Sequence, residues 1–333
     1  MKEHDFERRY TALRKIVDRR IATLARRGKP ADLNDGCHYV LSAGGKRIRA
    51  VLVLLSCEAV GGNIRQALDA GVAVETMHNF TLVHDDIMDH ASSRRGRPAV
   101  HVRWNDNTAL LVGDSLMGLA YISLMRTARK VQAPLVELLT EGLIEVCEGQ
   151  ALDLEFEGRN DVTLREYFTM IEKKTGRLIA VATEMGGVIG GGTSRQTCAL
   201  HQFGRYLGRA FQLQDDVLDV VADQGRFGKP IGGDIIAGKK TFLLLKAAER
   251  ATGNDRLLTK RLVRHHGAVP PSERGRVIAE VTALYRRLGV IAEAERQIRR
   301  NTTLAVGALG ALPRNRATGM LRWLSEALVH RNS

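Results

Sequence analysis

Cysteine is scarce in this chain. Four thiols are spread over 333 residues, at Cys37, Cys57, Cys147 and Cys198, with no C-x-x-C pair. That argues against a disulfide framework or a cysteine zinc site and fits a reducing compartment. Proline is also rare, with 7 residues, and aromatics make up only 5% against 44% hydrophobic residues overall, the composition of a helical globular protein rather than a disordered or sheet-rich one. Long apolar runs are missing: AVLVLLSCEAVGG ends early and carries Glu58, short of the roughly 18 residues of a membrane span. The first ten residues, MKEHDFERRY, lack the apolar centre of a secretory signal. A soluble, cytoplasmic protein with no transmembrane segment is therefore expected. Acidic residues are in deficit, 37 against 50 Lys and Arg, for a net charge of +13. A basic surface attracts nucleic acid, anionic membrane or polyanionic small molecules. No zinc-finger spacing, RNA-binding signature or aromatic-interleaved basic tract accompanies it, so nucleic acid is not expected. Much of the excess is arginine near residues 8–29 and in the C-terminal third, which reads as solvated helix face.

What is present is helical periodicity. Leu13, Ile16, Val17, Ile21 and Leu24 recur at threes and fours. Similar segments run through 48–60, 65–89, 107–128, 133–156, 164–185, 196–221, 240–251, 256–266, 272–298 and 316–329. Alternation with period two is almost absent. Loops fall at 42–47, 92–98, 190–194, 223–240 and 266–273, none long enough for a linker. The pattern predicts one all-α domain over residues 1–333, with some helices apolar nearly all round and therefore central.

Two acidic clusters stand out from this background. HDDIMD brings Asp85, Asp86 and Asp89, and QDDVLD brings Asp215, Asp216 and Asp219. Residues four apart share a helix face, so Asp85 pairs with Asp89 and Asp215 with Asp219. Each cluster ends an apolar stretch, which places carboxylates at the mouth of a cavity. Three close like charges repel unless cations are present, and all-oxygen ligation suits Mg²⁺. One such cluster could be an exposed acidic helix end. Two copies on two apolar helices point to metal.

Basic groups surround them in the sequence. SAGGKRIRA puts Gly44 and Gly45 before Lys46, Arg47 and Arg49, a turn that can present backbone N–H groups to an anion. SSRRGRP adds Arg94 and Arg95, whose forked guanidinium groups suit phosphate. Lys174, Lys229, Lys239 and Lys240 follow, the last three in a loop that could close over a phosphate. His78 lies two turns before Asp85 on its face and can reach a bound anion, whereas His84 is read as a packed side chain. Metal clusters plus several phosphate grips indicate two anionic substrates.

These residues resemble the trans-isoprenyl diphosphate synthase (polyprenyl synthetase) family over nearly the full length. The matching signatures are GGKRIR, HNFTLVHDDIMD, RRGRP, GQALDLEF, KTG, FQLQDD, DDVLD, GKPIGGDI and GKKT, in that order. Ala50 stands where the family usually has proline, and Phe242 and Leu243 follow GKKT at positions that vary. The resemblance implies an all-α bundle around a deep apolar cavity (the isoprenoid synthase type I fold), homodimerisation and Mg²⁺, three ions per site. It assigns Asp85 and Asp89, with Asp215 opposite, to metal bridging the allylic diphosphate, and Asp86, Asp216 and Asp219 to support. Arg94, Lys174, Lys229 and Lys239 would grip the allylic diphosphate, and Lys46, Arg49, His78 and Arg95 isopentenyl diphosphate. Thr175 and Gln212, with Lys174, would serve the developing allylic cation. The implied reaction is head-to-tail, all-trans condensation of isopentenyl diphosphate with an allylic diphosphate. Phe80, with Met77 a turn deeper, is the expected floor for the growing chain. An aromatic there resembles geranylgeranyl-type members, so a C20 product is expected over farnesyl diphosphate. A terpene cyclase would lack the isopentenyl diphosphate grip, and a non-catalytic subunit would tend to lose aspartates that this chain keeps.

Overall fold

The computed structural model describes residues 3–24, 29–221, 232–263, 269–270 and 272–329. Their regular structure is helical apart from one hairpin of two two-residue strands, in keeping with the all-α expectation. Contacts divide the chain into two compact units. The first comprises Met1–Leu143, Leu178–Gly204 and Ala308–Trp323, and the second Ile144–Arg177, Arg205–Gly307 and Leu324–Ser333.

The first unit is built around α4 (Ile64–Met88), started by Asn63, whose side chain accepts from the Arg65 N–H at 2.9 Å. It packs against α3 (Ile48–Ala59) and α6 (Asp106–Leu124), with α1 (Glu3–Ala22) and α2 (Ala31–Ser42) against them. Residues of α3 and α4 are buried on nearly every face, so these are the central helices the apolar runs predict. Helix α2 escapes the periodicity reading. Its ADLNDGCHYVLS is poor in helix formers, and its buried face sets the small Gly36 and Cys37 beside a single leucine, Leu41. A β-carbon on Gly36 would sit 2.4 Å from Val112, so the small residue is what lets α2 approach α6. Between α4 and α6 come β1 (Ser93–Arg94), β2 (Arg97–Pro98) and the short α5 (Val100–Arg103). Helix α6 is long and apolar enough to cross a membrane by length and composition, with mean hydropathy 1.2, contrary to the sequence expectation that no segment would qualify. Its Val112, Leu116, Leu119 and Ala120 are buried in the packing of this unit.

The second unit gathers Phe156, Tyr167, Leu213, Phe242, Leu243 and Ile298 into one core. Its chain includes the C-terminal part of α7 (Arg129–Gly158), α8 (Leu164–Ile171) and, after α9 (Arg177–Ile189, mostly in the first unit), the C-terminal part of α10 (Ser194–Val221). It continues through α11 (Gly233–Ala237), α12 (Phe242–Arg250), α13 (Gly253–Val263), α14 (Arg274–Arg287) and α15 (Val290–Ala308). The segment 272–298, expected as one helix, is two. Gly289 takes φ 65° between them, a left-handed conformation open to glycine. The final helix α16 is Arg316–Val329. Residues 164–185 also break from a simple helix: Glu172–Gly176 forms a π-helical turn between α8 and α9.

Candidate active site

In the first unit, α4 delivers the first acidic cluster at its C-terminal end. Asp85 is half-buried and Asp89 exposed, one turn apart. Asp89 caps the helix, its N–H donating to the Asp85 carbonyl at 2.8 Å. Asp86, a third of a turn round, is turned inward and buried. Arg94 Nε lies 2.8 Å from both of its oxygens and Arg94 Nη2 2.7 Å from one. The cluster therefore divides its labour, with Asp86 fixing the hairpin that follows. It also means that Arg94, expected as a phosphate grip, has part of its fork engaged by Asp86.

The glycine turn before α3 sorts its cations similarly. Gly44 and Gly45 have φ 72° and 134°, and Arg47 follows at 52°. Arg47 points inward: Nε donates to Asp18 at 2.8 Å, Nη2 to the Leu41 carbonyl at 2.9 Å, and Nη1 lies 3.8 Å from Glu75. Lys46 is exposed and Arg49 half-buried. Ala50 also gains a physical meaning. Its N–H donates to Glu75 Oε2 at 3.3 Å, a bond that proline could not make.

Arg95 Nη1 donates to the Gly44 carbonyl at 2.6 Å and to Asn79 Oδ1 at 3.3 Å, tying the hairpin to the glycine turn. His78 sits among these groups. Burial and then the charges of Arg49, Arg95, Arg94 and Arg47 hold its pKa well below the ordinary histidine value, which disfavours a charged ring. Four guanidinium groups bearing on one imidazole mark a strongly positive spot, although Asp18 and Glu75 answer Arg47 and Asp86 answers Arg94. Lys46, Arg49, His78 and Arg95 thus occupy one region of one unit. Asn79 escaped the sequence reading; its signal was a buried amide beside His78 in an apolar helix.

His84 is packed, as expected. Nε2 lies 3.2 Å from the Leu110 carbonyl, and a β-carbon on Gly113 would fall 2.2 Å from that nitrogen. Phe80, nearly buried, stands edge-on to the His84 ring with centroids 4.8 Å apart, and Met77 is fully buried.

The second unit carries the other cluster on α10. Asp216 is buried and accepts from the Tyr167 hydroxyl at 2.6 Å, Gln212 Nε2 at 3.0 Å and the Phe242 N–H at 3.4 Å. Burial, then the charge of Asp234, raises its pKa to about 7, against the pull of those three donors. Asp219 accepts from the N–H groups of Gly233 at 3.2 Å and Asp234 at 3.0 Å, so it caps α11. Asp215 is half-buried one turn before Asp219. Gln212 in turn accepts from Thr175 Oγ1 at 2.8 Å, making a chain from Thr175 through Gln212 and Asp216 to Tyr167.

Lys174 Nζ donates to Asp153 Oδ2 at 2.6 Å, and Lys239 Nζ lies 3.9 Å from the same oxygen. A cavity of about 80 Å³ is lined by Asp153, Lys174, Thr175, Gln212, Asp216 and Lys239, among others. Asp153, the aspartate of GQALDLEF, is the carboxylate between two phosphate-binding candidates. Lys240 is buried, donates to the Gly238 carbonyl at 3.2 Å, and has its pKa lowered by burial. Lys229 lies outside the described residues.

Lys174 and Thr175 sit within the π-turn. A β-carbon on Gly149 would fall 2.3 Å from the Lys174 nitrogen, and one on Gly208 2.4 Å from the Gly176 α-carbon. Glu172 at the start of the turn is clamped by Arg205 and Arg209. π-turns inside α-helices concentrate at functional sites.

The donor chemistry fits Mg²⁺. The first cluster offers Asp85 and Asp89 one helical turn apart and the second offers Asp215, all oxygen, and Mg²⁺ takes one or two carboxylates with water and phosphate oxygens completing its shell. Among the described residues no three His, Cys, Asp or Glu side chains converge around one point as a closed cage.

Comparison with known proteins agrees with this chemistry. The polyprenyl synthetase family profile matches residues 30–273. A short chain isoprenyl diphosphate synthase of Methanothermobacter thermautotrophicus is 38% identical over 332 residues, covering 99% of each chain. A geranylgeranyl diphosphate synthase of Methanosarcina mazei is 43% identical over 241 residues, 72% of this chain and 74% of that one. The crystal structure of a geranylgeranyl pyrophosphate synthetase from Pyrococcus horikoshii superposes with a TM-score of 0.92 at 37% identity, over 99% of this chain and all of the other. The chain belongs to the polyprenyl synthetase family, whose members are prenyltransferases.

Proposed function

We propose that this protein condenses isopentenyl diphosphate with an allylic diphosphate, head-to-tail and all-trans, and that its main product is geranylgeranyl diphosphate. The observation that carries this reading is the separation of cations into two groups. Lys46, Arg49, Arg95 and His78 lie together in one unit, and Lys174 and Lys239 share Asp153 in the other. A cyclase, with one diphosphate to hold, has no need of the first group.

Asp85 and Asp89, and Asp215 of the second cluster, are the proposed Mg²⁺ ligands, with Asp86, Asp216 and Asp219 fixing the surrounding backbone. Bound Mg²⁺ supplies charge neutralisation for the departing diphosphate. Lys174 and Lys239, released from Asp153, bind the allylic diphosphate and stabilise the charge it acquires as its carbon–oxygen bond breaks. Lys229 and the part of Arg94 not held by Asp86 are assigned to the same anion. The Thr175 hydroxyl oxygen and the Gln212 amide oxygen place partial negative charge beside the allylic cation. Arg49, Arg95, Lys46 and His78 hold isopentenyl diphosphate so that its double bond attacks that cation. Loss of a proton to the departing diphosphate regenerates an allylic product.

Both units form one synthase domain over residues 1–333 in this reading. The enzyme works in the cytoplasm as a homodimer, with three Mg²⁺ per site, and Phe80 above Met77 closes the chain cavity. Incubation of the purified protein with labelled isopentenyl diphosphate and allylic starters of one to four isoprene units tests it. Expected is Mg²⁺-dependent formation of a C20 diphosphate. A cyclic hydrocarbon, or no elongation, would overturn the proposal, and a C15 product would overturn its chain length.

A further inference from the structure

The hairpin that carries Arg94 and Arg95 is an unstable element by its own chemistry. Its ladder is two residues long, pairing Ser93 with Pro98 and Arg94 with Arg97. A hairpin this short is not stable alone in water. Its tip is Arg95-Gly96, with φ 53° and 72°. Two left-handed central residues make a type I′ turn, where Asn, Asp or Gly usually stands first. Here that position is arginine, which the left-handed region disfavours. A cavity of about 40 Å³ beside the hairpin is bounded by Tyr39, Asn79, Leu82, Val83, Arg95 and Pro98, among others.

Such a conformation persists only when its surroundings over-determine it. The first strand is held by the Asp86–Arg94 pair. The second strand is held from α2. The Tyr39 hydroxyl donates to the Pro98 carbonyl at 2.8 Å. The Arg97 guanidinium carbon lies 5.7 Å from the Tyr39 ring centroid and that of Arg103 lies 4.4 Å from it. Trp104 meets the same ring edge-on, with centroids 5.4 Å apart, and Arg103 also lies 4.7 Å from the Trp104 ring. Tyr39 is thus the centre of a stack of two guanidinium groups and one indole, with its hydroxyl on the strand they border. Nothing in the acidic or basic motifs singles this residue out.

We infer that Tyr39 is a positioning residue for isopentenyl diphosphate. It latches the second strand of the hairpin, keeps the Arg95-Gly96 turn left-handed, and so presents the Arg95 guanidinium beside Gly44, Gly45 and Asn79. The inference rests on the proposed assignment of Arg95 to isopentenyl diphosphate. Because Arg94 is anchored separately by Asp86, loss of the latch reaches one substrate and not the other.

Steady-state kinetics of Tyr39→Leu, Arg95→Ala and the double variant test this, with near-ultraviolet circular dichroism confirming the fold. The expected result is a rise in KM for isopentenyl diphosphate of about tenfold in Tyr39→Leu, the combined worth of a hydrogen bond and a cation–π stack. The allylic KM and kcat should move by less than about twofold. In the Arg95→Ala background, removing Tyr39 should add no further effect, because the latch acts through Arg95. Tyr39→Phe, which keeps the stack and loses the hydroxyl, should recover part of the affinity. If Tyr39→Leu does not fold, Arg103→Gln, an exposed position in the same stack, should raise the same KM to a smaller degree. Arg95→Ala raising KM while Tyr39→Leu or Arg103→Gln leaves it unchanged would overturn the latch alone. Additive effects in the double variant, or an equal loss for both substrates, would also overturn it. An unchanged KM in Arg95→Ala would instead overturn the assignment on which the latch depends.

Discussion

At the scale of single residues, neighbouring aspartates with one chemistry have different tasks. Asp85 and Asp86 adjoin in sequence, yet one is half-buried at the helix end and the other is enclosed by Arg94. Asp85→Asn should lower the condensation rate by about 10²-fold or more with the fold unchanged, as loss of charge stabilisation at a leaving group does. Asp86→Asn should instead lower stability, by up to about 3 kcal/mol, because it leaves a partly buried guanidinium without its counter-charge. Urea melts beside kinetics separate the two, and equal effects from both would reject the division. The sequence marked both aspartates through their spacing, but a motif cannot tell which member of an adjacent pair turns inward. That depends on Arg94 returning through a hairpin whose two-residue strands leave no alternation in the sequence. Phe80 makes the second residue-scale case. Its ring, edge-on to His84, lies just above the fully buried Met77. Phe80→Ala should lengthen the main product by at least one isoprene unit, since a packed floor otherwise resists the added volume, and adding Met77→Ala should lengthen it further. Chromatography of the dephosphorylated alcohols reads this directly. An active Phe80→Ala enzyme with the parent product would put the floor elsewhere.

At the scale of elements, the long apolar helices were legible because their faces repeat over many turns, and the exceptions were not. Helix α2 shows no clear period because it packs through Gly36 and Cys37 with only one buried leucine, Leu41. The π-turn at Glu172–Gly176 was invisible because one extra residue in a turn leaves the overall periodicity of 164–185 almost intact. What betrays it is glycine: Gly149 and Gly208 look like weak points in α7 and α10, and each lies where a β-carbon would strike the turn. Gly208→Ala sharpens the point, since alanine is the better helix former by about 1 kcal/mol. On propensity alone it should stabilise α10. With its new β-carbon 2.4 Å from Gly176 Cα, it should instead destabilise the protein by roughly 1–3 kcal/mol. By shifting Lys174 and Thr175 it should also cut kcat by on the order of 10²-fold, the scale of an ångström's misplacement. Urea melts and single-turnover rates check both limbs. A variant as stable and as active as the parent would remove the turn from the mechanism.

At the scale of the whole molecule, the excess positive charge and the exposed apolar residues answer different needs. A net charge of +13 suits a protein whose proposed substrates are both polyanions, because its field raises their local concentration. The apolar surface has no such use. Leu111, Ile122 and Met125 are 57%, 40% and 54% exposed, and with the exposed Gly118 they recur along one stripe of α6 and its C-cap. Val102 and Leu110 are also exposed, at 52% and 44%. The other face of α6 is committed to α4, so this stripe is surplus to the core of its unit. Scattered exposed apolar residues are ordinary, but a contiguous stripe marks an interface. A second copy of this chain is the occupant that the proposed homodimer supplies, and a small residue at Gly118 lets two helices approach closely. Leu111→Glu with Ile122→Glu should abolish the dimer, because two carboxylates desolvated at a self-complementary contact meet their own copies across the axis. Sedimentation equilibrium should then give the mass of one chain, with unchanged helical circular dichroism. A dimer that survives both charges would place the contact on another face and leave the α6 stripe without its partner.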